Sequence, residues 1–347
     1  MPGELMHAEM HEQPQVLARL AERFPADGAA VRGVRPAGLA GTGFVARGSS
    51  DNAAVLGRYL VELTSGRPAA LVAPSLVTRY SARVDWRAWL AVALSQSGET
   101  PEVVSVAVAM RSSGAVVIGV SNERESRLGE VVDLHLPSDA GTEVAVPATK
   151  TVTAQMMAMF LIAGALADPD RAESSVSWSA ADLGQVEREV TATLADTAAV
   201  TAGAARWADA DRLWVVGRGL LYSAVLETAL KIKETTGILA EGMSAADLLH
   251  GPIAAIRPGA PVVVFDDGGP TSGDIRQLLP RLLERDADVF VISTGEQADA
   301  GLLGPPGWPL HVIAATVRGQ QIAYALALAR GLDPDSPQGL SKVTPTH

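Results

Sequence analysis

The 347-residue chain carries a formal charge of −11, 48% hydrophobic residues and no cysteine. That balance excludes a nucleic-acid surface and an anionic-membrane surface, and the missing thiol excludes disulfides, thiolate metal sites and a cysteine nucleophile. The length calls for two domains or one large α/β unit, and the surplus of Ala and Val over aromatics points to helices packed on parallel strands.

Residues 1–26 read as an N-terminal helical arm. His7 and His11 stand at the i, i+4 spacing of a helical metal pair, but no third ligand lies near in sequence, so no metal site is expected. A first domain is expected over 27–168. In it, GTGF at 41–44 lacks the spacing of a nucleotide-binding glycine turn. Phe44-Val45 then leads into ARGSSDN and a helix that stops at Gly66. The apolar run from Trp89 to Leu94 reads as a buried strand, followed by SQSGET and the helix start Pro101-Glu102-Val103-Val104. Hydroxyls at Ser95, Ser97 and Thr100, with Gly98 freeing the backbone, fall where the first N–H groups of a helix point outward unpaired. That is the geometry that binds phosphate. Ser and Thr are also ordinary N-caps, but capping needs one hydroxyl, and here three stand with the Gln96 amide.

Further strands are expected at Val116–Val120 and Leu134-His135-Leu136. Met156–Ala167 is the longest apolar run; it is too short to span a bilayer, and no leader opens the chain, so the expected compartment is the cytoplasm. A linker helix is expected over 169–209, a second domain over 210–334 and a C-terminal tail over 335–347. The acidic pairs Asp266-Asp267 and Asp333/Asp335 read as loop residues.

The second domain repeats the first. ARGSSDNAAVLGRYLVELTSG (46–66) lies without a gap on GRGLLYSAVLETALKIKETTG (217–237). At the same offset the strand before Ser95 falls on Pro261–Phe265 and Thr100 falls on Thr271. With small shifts Val116–Val120 matches Val289–Ser293, and Leu134-His135-Leu136 matches Leu310-His311-Val312. His135 and His311 are therefore expected on equivalent strands, in structural roles. Each half alternates strands and helices, the pattern of a parallel sheet covered on both faces, with ligands at the carboxyl ends of the strands.

RGSS, LSQSGET, AGTEVAVPATK, KIKETTGILAEG, LLHGP and the terminal GLSKVT occur in this order, after Met6, Glu9, Met10 and Glu12-Gln13-Pro14 in the arm. Together they resemble the sugar isomerase (SIS) family nearly end to end. The likeness runs to the isomerase half of glucosamine-6-phosphate synthase and to SIS-type glucosamine-6-phosphate deaminases. It implies an α/β fold of two tandem doubly wound, flavodoxin-like parallel-sheet SIS domains behind the helical arm, with the tail over 335–347 serving the active site. Lysine usage agrees. Of 28 Lys and Arg residues only Lys150, Lys231, Lys233 and Lys342 are lysine, and all four sit in these motifs. Lysine offers a compact ammonium able to release its proton, which arginine does not.

Interconverting an aldose and a ketose needs an acid–base group at the ring oxygen, a base between C1 and C2, and a cation or donor at the enediolate oxygen. The resemblance implies that His250 opens the ring, reaching in from a partner subunit of a homodimer. It implies that Glu234 moves the proton and that Lys342 closes over the carbonyl end. Lys231, three residues before Glu234 on the same helix face, shares its site. Ser49, Ser50, Ser95, Gln96, Ser97, Thr100 and Val146 match sugar and phosphate contacts. No cofactor or metal is implied, and the implied partners are a phosphosugar and a second copy, with no nucleic acid and no membrane. Duller readings stand beside these: Glu234 as a solvated residue balancing Lys231 and Lys233, and His250 as a turn histidine.

The resemblance implies that the synthase draws ammonia from glutamine through an N-terminal domain with a cysteine nucleophile. With no cysteine here, glutamine-dependent synthesis is not expected, and Ala148 stands where the synthase pattern carries a sugar-contacting serine. The expected reaction is conversion of glucosamine 6-phosphate to fructose 6-phosphate and ammonia. The alternatives are a ketoamine-6-phosphate deglycase and a non-catalytic sugar-phosphate-binding protein.

Overall fold

The structure, a computed structural model, describes residues 2–168 and 176–342. Helix α1 (Glu4–Val34) comes first. A run of strands and helices follows: β1 (Gly41–Val45), α2 (Ser49–Ser65), β2 (Ala69–Leu71), α3 (Ser75–Thr78), β3 (Trp89–Leu94), α4 (Pro101–Ser112), β4 (Val116–Ser121), α5 (Arg127–Val131), β5 (Leu134–Pro137) and α6 (Lys150–Leu166). The five strands pair in parallel in the order β2-β1-β3-β4-β5. After α7 (Ala180–Ala195) and α8 (Ala198–Arg206) the pattern returns: β6 (Arg212–Gly217), α9 (Tyr222–Thr236), β7 (Leu239–Ser244), α10 (Ala245–Leu249), β8 (Pro261–Asp266), α11 (Ser272–Leu283), β9 (Asp288–Ser293), β10 (Ala300–Gly301) and α12 (His311–Ala329). These strands are also parallel, in the order β10-β9-β8-β6-β7. Numbered within its own half, each sheet runs 2-1-3-4-5, the flavodoxin-like order.

The central strands are apolar throughout because helices cover both faces: every residue of β1 and five of six in β3 and β8 are buried. The repeat is visible in the helix ends as well. Gly66 and Gly237 close α2 and α9 in the left-handed conformation, at φ 63° and 70°. Thr100 and Thr271 stand at the N-caps of α4 and α11.

By their packing the described residues divide into two units. One, Gln15–Glu143 with Lys150–Gly184, holds the first sheet. The other holds the second sheet and takes the stretch up to Pro14, Val144–Thr149 and Gln185–Lys342. The helix expected as an arm over 1–26 runs on to Val34 and passes through Pro14 and Pro25. Proline lacks the N–H that the carbonyl four residues earlier would accept. At Pro14 that carbonyl is Met10 O, and the Gln13 side-chain amide donates to it at 3.0 Å.

The linker expected as one helix over 169–209 holds two helices; its residues 169–175 lie outside the described set. At the break between α7 and α8 the buried Arg318 donates to the Asp196 carbonyl and, at 2.8 Å, to the Asp196 carboxylate. Residues 343–347 of the expected tail also lie outside the described set.

The match of Leu310-His311-Val312 to a strand is corrected. The fifth strand of the second sheet is the two-residue β10, and His311 opens α12. A three-residue apolar run does not separate strand from helix, whereas the apolar pattern here continues for 19 residues, which is helix length. His311 is wholly buried, with Nδ1 2.8 Å from Glu189 Oε1 and Nε2 3.0 Å from the Pro305 carbonyl. His135 lies on β5 as expected and bonds Ser121 Oγ at 2.7 Å. One described helix, α12, is long and apolar enough to cross a membrane, and 78% of its apolar window is buried within the protein.

Helices α9 and α12 pack with almost no space at Gly319, where an added Cβ would sit 1.9 Å from Thr228 Oγ1. Gly319→Ala is expected to cost about 1–3 kcal/mol, the usual range for overpacking. Thermal denaturation checks this; an unchanged melting temperature would show that the pair separates freely.

Candidate functional site

In a 2-1-3-4-5 sheet the chain turns to opposite faces after the first and third strands, leaving a crevice at their carboxyl ends. In the first sheet that crevice lies beyond β1 and β3, and six of the expected contact residues line its two lips. On the β1 side, Gly48 is the N-cap of α2 at φ 59°, ψ −133°, a conformation closed to L side chains. It brings Ser49 and the buried Ser50 into the first turn. On the β3 side, Ser95 is buried, and its Oγ lies 2.9 Å from Thr100 Oγ1 and accepts the Gly98 N–H at 3.1 Å. Ser97 Oγ accepts the Glu99 N–H at 3.1 Å, and the Gln96 carbonyl is taken by the Asn122 N–H at 2.9 Å.

Gly98 sits at φ 70° against Ser126, with its carbonyl accepting the Leu128 N–H at 3.0 Å. The hydroxyls are thus folded into a tight loop. Thr100, the N-cap of α4, places no side-chain hydrogen bond on the helix, so it does not cap the first-turn N–H groups at Glu102 and Val103, the kind of group an anion accepts from. Arg47 joins the two lips: its Nε donates to Glu102 Oε2 at 2.8 Å. Burial holds the nearby Asp51 above the usual carboxylate range, with the Arg47 charge opposing that shift.

The corresponding crevice of the second sheet carries carboxylates instead. Asp266 accepts from Ser272 Oγ and from the Gly268 N–H at 3.0 Å, and Asp267 accepts the Gly269 N–H at 2.9 Å. Burial raises the Asp267 carboxyl above its ordinary range. A negative side chain occupies the place where the first half offers hydroxyls. The ion pair across the lips persists here as Arg218 to Asp274, at 2.7 Å.

The acid–base candidates lie in the unit of the second sheet. Lys231 and Glu234 share one face of α9 and are bonded to each other. Lys231 is 1% exposed, Glu234 a quarter exposed. Four residues before Lys231, Glu227 is wholly buried, with its Oε1 3.5 Å from the same ammonium. A buried ammonium persists only when paired, and here carboxylates flank it along the helix. Only Glu234 reaches solvent. Glu227 was missed in the sequence, although the i, i+4 Glu–Lys spacing was there to read.

Lys342 donates to the Ala145 carbonyl at 2.8 Å, and Val146 donates its N–H to the Asp335 carbonyl at 3.1 Å. His250, the C-cap of α10, is exposed, and no hydrogen bond or ion pair holds its ring among the described residues. Lys150 is buried and donates to the Thr142 carbonyl at 2.7 Å, a structural role, while Lys233 is exposed on α9. No cluster of three metal-ligating side chains occurs among the described residues.

The structure therefore assembles the hydroxyl loop in one unit and the Lys231–Glu234 pair in the other. The Asp333/Asp335 pair, expected as plain loop residues, binds main-chain N–H groups at the start of α1: Gly3 to Asp333, and Leu5 and Met6 to Asp335, at 2.7–3.0 Å.

The family model of the SIS domain matches residues 43–164 and 207–300. The glutamine–fructose-6-phosphate aminotransferase of Chlamydia caviae is 31% identical over 351 residues. That alignment covers 97% of this chain and 58% of that protein, so the chain spans a little over half the length of the relative. A crystal structure from Silicibacter pomeroyi, assigned as a phosphosugar isomerase, matches with TM-score 0.82 at 28% identity, over 96% of this chain and all of that one. The glucosamine-6-phosphate deaminase of Thermotoga maritima shares the fold at TM-score 0.72 and 22% identity, over 96% and 98% of the two chains.

Gly98→Ala tests the hydroxyl loop. Its Cβ would stand 2.4 Å from Ser126 Oγ on a backbone at positive φ, so the loop must open. Calorimetric affinity for inorganic phosphate is expected to fall by about tenfold or more with the fold retained. Unchanged affinity would place the anion elsewhere.

Proposed function

Since the chain belongs to the SIS domain family, we propose that it is an amino-sugar-phosphate isomerase and deaminase, converting glucosamine 6-phosphate to fructose 6-phosphate and ammonia. The observation that carries this reading is Glu234: a carboxylate with partial access to solvent, held by an otherwise buried ammonium that a second, wholly buried carboxylate braces. A binding protein has no use for such a group, whereas moving a proton between neighbouring carbons requires an oriented base. The hydroxyl loop and the first turn of α4 bind the phosphate.

In this reading His250 protonates the ring oxygen and opens the sugar to its aldehyde. Glu234 takes the proton from C2 and returns it to C1, while the ammonium of Lys342 stabilises the negative oxygen of the intermediate. The product carries an imine at C2. Water adds to it, the C–N bond breaks, and ammonia leaves behind the ketone of fructose 6-phosphate. Ala148, in place of a serine that would contact the sugar, favours release of ammonia over its capture from glutamine. His250 is exposed, and among the described residues nothing bonds its ring; in this reading it serves the site of a second copy, and the active unit is a homodimer.

Two measurements test this. Wild-type protein should release fructose 6-phosphate and ammonia in equal amounts, and Glu234→Gln should lose about a hundredfold or more in kcat, the lower end of general-base contributions. Binding of the sugar phosphate without release would leave a sensor or a deglycase. Inactive Glu234→Gln and His250→Ala subunits, once mixed and exchanged, should regain about a quarter of wild-type activity, because half of the randomly formed dimers carry one intact composite site. No recovery would place His250 in its own protomer's site.

A further inference from the structure

We propose that Glu9, near the start of the chain, is the positioning residue for Lys342, near its end; the inference rests on the role just proposed for Lys342. Glu9 is 4% exposed, and a carboxylate so buried needs donors. It takes two in succession, the N–H groups of Val144 and Ala145, on the single oxygen Oε1. Two adjacent N–H groups converging on one charge fix the orientation of the peptides that carry them. The carbonyl of Ala145 is the group to which Lys342 donates, at 2.8 Å. The Ala145 carbonyl belongs to the peptide that directly follows the two Glu9 holds, so Glu9 fixes the backbone leading into the lysine's anchor. The N–H of that same peptide belongs to Val146, an expected sugar contact, and it is held by the Asp335 carbonyl.

The frame around this contact joins the same segments. Asp335 accepts the Val146 N–H on its carbonyl, while its carboxylate accepts the N–H groups of Leu5 and Met6. One turn after Glu9, Gln13 bonds Gln320 at 2.9 Å, and Gln320 in turn donates to the Thr149 carbonyl. The start of α1, residues 144–149 and the segment from Asp333 to Lys342 thus form one polar lattice, with Glu9 as the charged group directly behind the lysine's anchor. Its carboxylate charge strengthens the two N–H bonds that fix residues 144 and 145. Glu9→Gln keeps the side chain's shape and removes that charge.

Steady-state kinetics on glucosamine 6-phosphate decide the matter for wild type, Glu9→Gln, Lys342→Met and the double variant. Glu9→Gln is expected to lower kcat by about tenfold to a hundredfold with KM nearly unchanged, the scale of a misplaced catalytic group. The double variant should be no slower than Lys342→Met alone, because residues acting as a unit are not additive. Full activity in Glu9→Gln, or additive losses, would overturn the proposal.

Should wild type release no ammonia, the reaction reading fails and hydrogen exchange decides the positioning claim. Amides 144–146 and the segment 335–342 should exchange about tenfold faster in Glu9→Gln at an unchanged melting temperature; unaltered exchange would overturn it. Should Glu9→Gln not fold, the same measurement on Lys342→Met applies. Loosening of amides 144–146 would support the coupling, and its absence would refute it.

Discussion

Parallel strands cannot be joined by tight turns; each crossover must travel back along one face of the sheet before the next strand begins. In both halves of this protein the second crossover changes face. The first and third strands therefore lie side by side with their loops diverging, β1 with β3 and β6 with β8. The divergence opens a crevice, and a helix begins at each lip. Six of the seven expected sugar and phosphate contacts follow from that single topological fact. Ser49 and Ser50 open α2, and the SQSGET loop leads into α4, because those are the positions the sheet order exposes.

The two halves then show what side-chain chemistry adds to a shared scaffold. The backbone repeat is close enough that α4 and α11 hold equivalent spans, Pro101–Ser112 and Ser272–Leu283. An arginine-to-carboxylate pair bridges both crevices. Yet one loop presents hydroxyls at a helix end, while the other fills the same place with Asp266 and Asp267. The second half has instead put its charge on α9, where Glu227, Lys231 and Glu234 form a buried ion group with one solvent-reaching member. Removing one partner from such a group leaves an uncompensated charge and costs about 3–5 kcal/mol. The arrangement therefore holds Glu234 firmly in place.

Much of this was legible in the sequence because it is local. Apolar runs marked the central strands, and a gapless match of 46–66 to 217–237 marked the repeat. The concentration of hydroxyls at 95–100 marked the helix end they surround. The rest was not legible because it is long-range or ambiguous by length. Leu310-His311-Val312 reads equally as a strand until the whole apolar pattern to Ala329 is weighed. Pro25 suggests a helix end, yet α1 runs through it to Val34. Asp333 and Asp335 look like turn residues, and their partners lie 329 and 330 positions away, where no local pattern reaches. Glu227 stands at a readable i, i+4 spacing from Lys231, but the spacing alone does not say that this face of α9 is buried. His250 carries the opposite lesson: the sequence motif singled it out, and it is exposed with nothing bonding its ring among the described residues.

The proposed reaction rests on proton transfer between C1 and C2 by Glu234, and isotope exchange reads that step without requiring net turnover. Fructose 6-phosphate incubated with the protein in deuterium oxide should lose one C1 proton to solvent deuterium, seen by proton NMR. The exchange should disappear in Glu234→Gln. A sugar phosphate that binds, yet keeps both C1 protons over many hours with wild-type protein, would contradict the account.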